Sequence, residues 1–310
     1  MEQVSRIYKE VHEAGRKALE QAGIDEAALD ARLLLEYVCG TDRNTLLAHG
    51  DRTVSEEEVR RYRELIGKRA DHVPLQHLTG EQEFMGLTFL VNKDVLVPRQ
   101  DTEVLVEEVM KQLHDGMRIL DLCTGSGCIL LSLLHYSNDC AGVGVDLSRE
   151  ALAVAEENYG RLRQERPEME ARFLEGDLFA ALETEGISET GAALQAGEKN
   201  RAGGRFDLIV SNPPYIETDV IGTLMPEVRE HESVMALDGG TDGLVFYRRI
   251  AQEAGRHLNG GGMLFFEIGC GQAESVREIM EEAGFFEIQV VKDFAGLDRV
   301  VYGSYWRRSD

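Results

Sequence analysis

The sequence is short of positive charge. Its 33 Lys and Arg face 56 Asp and Glu, a net charge of −23, and no run of five or more basic residues occurs along its 310 positions. A surface this acidic repels a phosphate backbone, so a nucleic-acid substrate would need a strong local basic patch. Residues 1–80 hold 12 basic and 15 acidic side chains, leaving 21 and 41 beyond, so neither part of the chain is basic. Cysteine is also sparse. Cys39, Cys123, Cys128, Cys140 and Cys270 are odd in number and scattered, with no C-x-x-C pair and no histidine at zinc spacing. They suggest neither a disulfide framework nor a metal site, and read as small buried hydrophobes in a reducing compartment.

Long apolar runs are missing as well. The opening MEQVSRIYKEVHEAGRK is charged throughout and lacks the apolar core of a signal peptide, and no stretch approaches the length of a membrane span. A soluble cytoplasmic monomer is the expectation, with no membrane and no direct nucleic-acid partner. No internal repeat is present. With 43% hydrophobic and 29% charged residues the composition is globular, and 310 residues allow two domains.

Residues 1–72 predict a bundle of three amphipathic helices. Ile7, Val11, Ala14 and Ala18 share one face, Leu29, Leu33 and Tyr37 form a second stripe ending at Gly40, and Ser55 with Glu58 makes a capping box opening a third helix through Val59, Tyr62, Leu65 and Ile66. Residues 73–97 change character. Phe84, Leu87, Phe89, Val91, Val95 and Val97 among glycines and Asn92 suggest a β-hairpin bridging two domains, closed by Pro98.

From residue 98 to 310 the pattern alternates strand and helix. Apolar runs at 118–123, 141–146, 172–177, 206–211 and 262–268 read as strands buried on both faces, so the class is α/β with a mostly parallel sheet. The runs at 286–291 and 299–306 have no room for a crossover helix between them and should pair antiparallel. Residues 181–205, rich in Gly, Ala and Glu, read as a mobile surface loop.

Chemistry concentrates at strand ends. The first strand runs into Cys123-Thr124-Gly125-Ser126-Gly127 before a helix, where glycines let a backbone approach a nucleotide-like ligand. The third glycine of the dinucleotide fingerprint is absent, Leu130 standing in its place, and a plain tight turn is the competing reading. Asp146 ends the second strand, where a carboxylate can accept hydrogen bonds from both ribose hydroxyls; helix capping, the bland alternative, already falls to Ser148. Asp177 ends the third run, either to meet an adenine edge or as a turn residue.

Ser211-Asn212-Pro213-Pro214-Tyr215 ends the fourth strand. Two prolines remove two N–H donors and leave carbonyls free to accept, Asn212 adds a side-chain carbonyl, and Tyr215 adds a flat face for stacking. Such a group suits a planar ligand bearing an NH2.

The order DLCTGSG, GVGVD, EGDLF, SNPPY resembles the class I S-adenosylmethionine-dependent methyltransferases, whose fold is Rossmann-like with a mostly parallel seven-stranded sheet. Residues 74–107, 227–250 and 263–272 narrow this: the chain resembles the HemK/PrmC family of release factor glutamine methyltransferases over nearly its whole length. The resemblance implies methylation of the side-chain amide nitrogen of the glutamine in the Gly-Gly-Gln motif of class I peptide release factors, with S-adenosyl-L-methionine converted to S-adenosyl-L-homocysteine. It implies an N-terminal substrate-recognition domain and no metal. Cys123, Thr124, Gly125, Ser126, Gly127, Asp146, Leu178 and Asn212 would line the cofactor pocket. Asn212, Pro213, Pro214 and Tyr215 would hold the substrate glutamine, with Asn212, Pro213 and Tyr215 closest to the chemistry. Arg99, Thr102 and Glu103 would sit near the reacting ends.

The chain departs from the family pattern at Cys123, where a glycine is usual, and at Gln100 and Ser233, where proline is common. Three other readings stay open at this stage: a glutamine methyltransferase of a ribosomal protein, an amino-group methyltransferase of DNA or RNA bases, and a non-catalytic module docking on the translation machinery.

Overall fold

The computed structural model describes residues 7–184 and 204–306, and the chain forms two compact units. The smaller takes the described residues up to Glu81 together with Met225–His231. Its helices are Tyr8–Gln21, Ala27–Cys39, Arg43–Ala48, Glu56–Ala70, Leu75–Thr79 and Pro226–His231. The expected three helices gain a short fourth before Ser55, because Asp42 caps Arg43–Ala48 by accepting from the Thr45 N–H at 2.9 Å. The Ser55–Glu58 capping box is formed in both directions, at 3.2 and 2.8 Å.

Two of the expected helix faces are rotated. In the first helix Val11, Gly15 and Leu19 are buried and Ala14 is exposed. Tyr62 requires this: a Cβ at position 15 would lie 2.0 Å from its hydroxyl oxygen, so only glycine lets the ring approach. That hydroxyl donates to the Ala31 carbonyl at 3.0 Å. In the second helix Ala27, Ala31, Leu34, Leu35 and Val38 face the core, while Leu29 and Tyr37 are exposed and Tyr37 lies under the Arg61 guanidinium.

Residues 225–231, read from sequence as part of the C-terminal domain, belong to the helical unit through a buried ion cluster. Arg69 pairs with Asp30 at 2.7 Å and with Glu227, and the His231 ring contacts the Asp71 carbonyl at 3.0 Å. Removing one member of such a cluster would strand a buried charge.

Among the described residues the larger unit holds nine strands. The hairpin is β1 (Glu81–Phe84) and β2 (Leu87–Leu90); the main sheet has β3 (Arg118–Leu122), β4 (Ala141–Asp146), β5 (Glu170–Glu175), β6 (Phe206–Ser211), β7 (Leu258–Glu267), β8 (Phe285–Lys292) and β9 (Asp298–Tyr305). Its order is β5-β4-β3-β6-β7-β9-β8. The first five of these pair in parallel and β9 runs antiparallel to both β7 and β8. This is the Rossmann-like, mostly parallel seven-stranded sheet of the class I fold, with the last strand slipped between its two predecessors.

Alternate residues of the central strands enter opposite cores. Leu120, Ile209 and Phe266 join one cluster, whereas Ile119, Leu208, Val210 and Phe265 join the other, so the sheet is covered on both faces. Phe84, Leu87 and Phe89 lie in the second cluster with Val104, Leu105 and Leu134. The hairpin is therefore built into the core of the larger unit rather than forming a free-standing linker. Within 181–205, Ala181 and Leu182 are buried in the helix Ala180–Thr184 rather than looping over the surface. Residues 185–203 of that expectation lie outside the described residues.

β3 pairs with β4 on one side and β6 on the other. The chain winds outward through β4 and β5, then returns to the far side of β3. Such a reversal opens a crevice at the carboxyl ends of the strands, where ligands of open α/β sheets bind.

Candidate active site

A cleft of about 130 Å³ opens at that crevice. Its walls include Cys123, Thr124, Gly125, Ser126, Asp146 and Leu178 from the ends of β3, β4 and β5, and Asn212 and Pro214 from the end of β6. The sequence-predicted cofactor and acceptor residues thus meet in one cavity, with Gly127, Pro213 and Tyr215 outside its walls.

The loop after β3 is shaped by three residues at positive φ: Cys123 at 61°, Gly125 at 54° and Gly127 at 78°. Cys123 adopts the left-handed conformation despite its side chain, so the substitution leaves the turn intact. Gly127 caps the helix Cys128–His135, and a Cβ there would press on Leu131 and Ala155 at 3.1 and 3.2 Å. It shapes the turn without reaching the cleft. Burial pushes the Cys123 thiol well up, so it faces the cavity as a neutral SH.

Asp146 organises the loop as well as facing the ligand space. One carboxylate oxygen accepts from the Gly125 N–H at 2.8 Å, the other from the Ser148 N–H at 2.9 Å. Burial pushes its pKa up, against these backbone donors. Ser148 caps the following helix, as its sequence position predicts, accepting from the Ala151 N–H at 3.1 Å. Asp177 lies beyond the end of β5, on the cleft wall, and pairs with Arg249 at 2.8 Å. Beneath the loop Asp121 is fully buried; burial pushes it up to about 7, against the Thr124 hydroxyl donating at 2.6 Å.

The turn after β6 is held from several directions. The Ser211 hydroxyl donates to the Leu122 carbonyl at 2.7 Å, tying it to β3. Gln272 donates to the carbonyls of Tyr215 and Gly243 at 3.0 and 3.3 Å. The Tyr215 hydroxyl donates to Glu267 at 3.3 Å. Tyr215 is therefore an anchor of the turn, held by its hydroxyl, and not only the flat face for stacking that its sequence position suggests. Asn212 is half-buried, with Nδ2 3.5 Å from the Thr102 hydroxyl oxygen.

Of the three residues expected from the VPRQDTE block, Arg99 and Thr102 reach the cleft. Arg99 pairs with the buried carboxylate of Glu232. Glu103 instead accepts from the Met85 N–H at 2.6 Å in the β1–β2 turn, where the backbone adopts a positive φ and needs a partner.

Sequence reasoning passed over three residues. Asn158 is buried in the helix Arg149–Glu165 and donates to the carbonyls of Ser126 and Leu90, joining the glycine loop to the hairpin. Glu267 and Gln272 brace the Asn212–Tyr215 turn. An asparagine or glutamate inside an otherwise apolar pattern was the only local signal for Asn158 and Glu267.

Among the described residues no helix is long and apolar enough to cross a membrane, and no group of three or more His, Cys, Asp or Glu could hold a metal ion.

Known proteins resemble the chain over most of its length. Residues 10–80 match the PrmC N-terminal domain and residues 113–255 a methyltransferase domain. The release factor glutamine methyltransferase of Caulobacter vibrioides is 41% identical over 292 residues, covering 94% of this chain and 93% of that protein. Its counterpart from Geobacter sulfurreducens is 41% identical over 288 residues, covering 93% of each. A crystal structure of a release factor-specific protein-(glutamine-N5) methyltransferase from Alicyclobacillus acidocaldarius aligns at 29% identity and a TM-score of 0.39, over 71% of this chain and 100% of that one. On identities of this size over nearly its full length, the chain belongs to the release factor glutamine methyltransferase family.

Proposed function

We propose that the protein methylates the side-chain amide nitrogen of the glutamine in the Gly-Gly-Gln motif of class I peptide release factors, in the cytoplasm, as a monomer and without contacting nucleic acid. The observation that carries the reading is the meeting of two walls in one cleft: Cys123–Ser126, Asp146 and Leu178 on one side, Asn212 and Pro214 on the other.

The donor set suits an adenosyl cofactor. Asp146 would accept from the ribose hydroxyls, Leu178 and Leu147, both on the cleft wall, would give apolar surface for an adenine, and the loop before Cys128–His135 would let the ligand approach its backbone. S-adenosylmethionine, when bound, supplies a methyl group on a positively charged sulfur that leaves readily.

The harder task is the acceptor, because an amide nitrogen shares its lone pair with its carbonyl. The Asn212 side-chain oxygen and the Pro213 main-chain oxygen would each accept one amide N–H. Held in this way, the nitrogen turns its lone pair toward the methyl carbon, so positioning supplies much of the rate. The cofactor would be held by Cys123–Ser126, Asp146 and Leu178 and would supply the methyl group alone. Positive charge then appears on the nitrogen, where the same two oxygens stabilise it until one proton leaves to water. Glutamate in place of glutamine would bring no N–H and would face these oxygens with its own.

The helical unit is the proposed recognition domain for the folded partner, whose remote contacts would orient the glutamine. A net charge of −23 favours a partner with a basic face, with association that slows as salt rises. Mass spectrometry of release factors from cells with and without this protein tests the reading: one methyl group on the Gly-Gly-Gln glutamine should be present with it and missing without it.

A further inference from the structure

The helix Arg149–Glu165 carries the turn after β3 on one of its faces. Ala151, Ala155 and Asn158 are buried and follow each other at four and three residues, so they form one row. Ala151 is on the cleft wall, and Ala155 is the residue that a Cβ at Gly127 would meet at 3.2 Å. The third member of the row is polar. Asn158 sits behind the cleft wall, and its amide makes three hydrogen bonds: Oδ1 accepts from the Leu90 N–H at 2.7 Å, while Nδ2 donates to the carbonyls of Leu90 at 3.1 Å and Ser126 at 3.0 Å. Two carbonyls need donors and one N–H needs an acceptor, so only one orientation of the amide satisfies all three.

The amide holds two parts of the cleft at once. Ser126 is on the cleft wall, and the peptide joining it to Gly127 is pinned at both polar ends, its carbonyl by Asn158 and its N–H by the Thr124 carbonyl at 2.9 Å. Leu90 ends β2, and the chain that follows supplies Asp94, Val95, Leu96, Pro98 and Arg99 to the same cleft. Leu90, Val91 and Val95 pack on Ala151 and Val154, so this segment also rests on the helix. Ser126 and Leu90 lie 32 and 68 residues from Asn158 in sequence.

We propose that Asn158 is a positioning residue for the cofactor: one amide sets the Ser126–Gly127 peptide and the Leu90 end of the 91–99 segment in fixed register, so that the cleft meets S-adenosylmethionine already shaped. Walls ordered beforehand bind more tightly, because their ordering is not left to the binding step. The inference rests on the cofactor wall proposed above and deepens it. An asparagine that served the fold alone would raise stability without favouring the cofactor, and binding measurements separate the two roles.

The test is calorimetry of S-adenosyl-L-methionine binding to the full-length enzyme and to Asn158→Ala, Asn158→Asp, Tyr159→Phe and Asp146→Ala, each with its thermal melting curve. Asn158→Asp keeps the size of the side chain and the acceptor for Leu90 and loses both donors. Both Asn158 variants are expected to bind the cofactor roughly 10-fold or more weakly, with the loss falling on KM for the cofactor rather than on kcat. Tyr159→Phe deletes a bond to the Met169 carbonyl, made at 2.9 Å from the same helix, and should melt lower while binding the cofactor within about twofold of wild type. Wild-type affinity in a folded Asn158 variant, or an equal loss in Tyr159→Phe, would overturn the role. Wild-type affinity in Asp146→Ala would reject the cofactor wall itself and the inference with it. A release factor left unmethylated by an enzyme that shows the expected affinities would reject the proposed substrate and leave Asn158 in its role. A further measurement uses the wild type alone: S-adenosyl-L-homocysteine should slow hydrogen exchange at the Leu90 amide together with the amides of 123–127. Protection of that loop with Leu90 unchanged would also overturn the role.

Discussion

The two walls of the cleft are built in opposite ways. The proposed cofactor wall is local: Cys123 to Ser126 are consecutive, and Asp146, which holds the Gly125 N–H, lies 21 residues on from Gly125. The acceptor wall takes its turn from four consecutive residues but its restraints from afar. Thr102 is 110 residues from Asn212, while Glu267 and Gln272 are 52 and 57 residues from Tyr215. A wall made of neighbours leaves a readable motif, whereas one made by strand register and helix packing leaves isolated residues whose purpose appears only once the chain is folded.

If the walls are separable in function as well as in construction, substitutions should divide them. Asn212→Ala should lower the methylation rate by about 100-fold or more, near 3 kcal/mol, while calorimetry finds cofactor affinity close to wild type. An equal loss of affinity would merge the two walls. Asp146→Ala should do the reverse, weakening S-adenosylmethionine binding by about 1.5 to 3 kcal/mol, the scale of hydrogen bonds to a charged group. Unchanged binding would remove Asp146 from the cofactor wall.

Gln272→Ala sharpens the comparison, since it deletes four hydrogen bonds around the acceptor turn without touching the cleft. A loss of about 1 to 2 kcal/mol in kcat, with cofactor binding retained, is expected from steady-state kinetics. The smallest effect belongs to the helical unit: Ser55→Ala removes one half of the capping box and should cost about 1 kcal/mol in denaturant unfolding. Cofactor affinity should not change, and a change there would show that the unit does more than present the partner.

The shapes of the loop after β3 and of the Asn-Pro-Pro-Tyr turn were legible because backbone chemistry writes them directly into residue type. Glycine marks positive φ or close approach, and proline marks a missing donor. The parallel sheet was legible because strands covered on both faces become continuous apolar runs. The helical faces were less so. A count of apolar positions selects Ala14 and skips Gly15, although the buried surface there belongs to Tyr62, 47 residues away by numbering, and a glycine makes room for it. Likewise Tyr37 looks apolar in sequence but spends its ring on Arg61 at the surface. Residues 225–231 belong to a different unit from the one their sequence position suggests, because Glu227 is an ordinary surface glutamate until Arg69 and Asp30 are beside it. Tyr215 was read by the chemistry of its ring, while the fold uses its hydroxyl.

The central claim is that the acceptor wall selects an amide nitrogen of a protein. Its most direct test is transfer of a tritiated methyl group from the cofactor to four substrates in parallel: purified release factor, the same factor with its Gly-Gly-Gln glutamine replaced by glutamate, ribosomal protein, and duplex DNA. Labelling of the native release factor alone is the predicted result. Labelling of DNA, or equal labelling of the glutamate variant, would contradict the account.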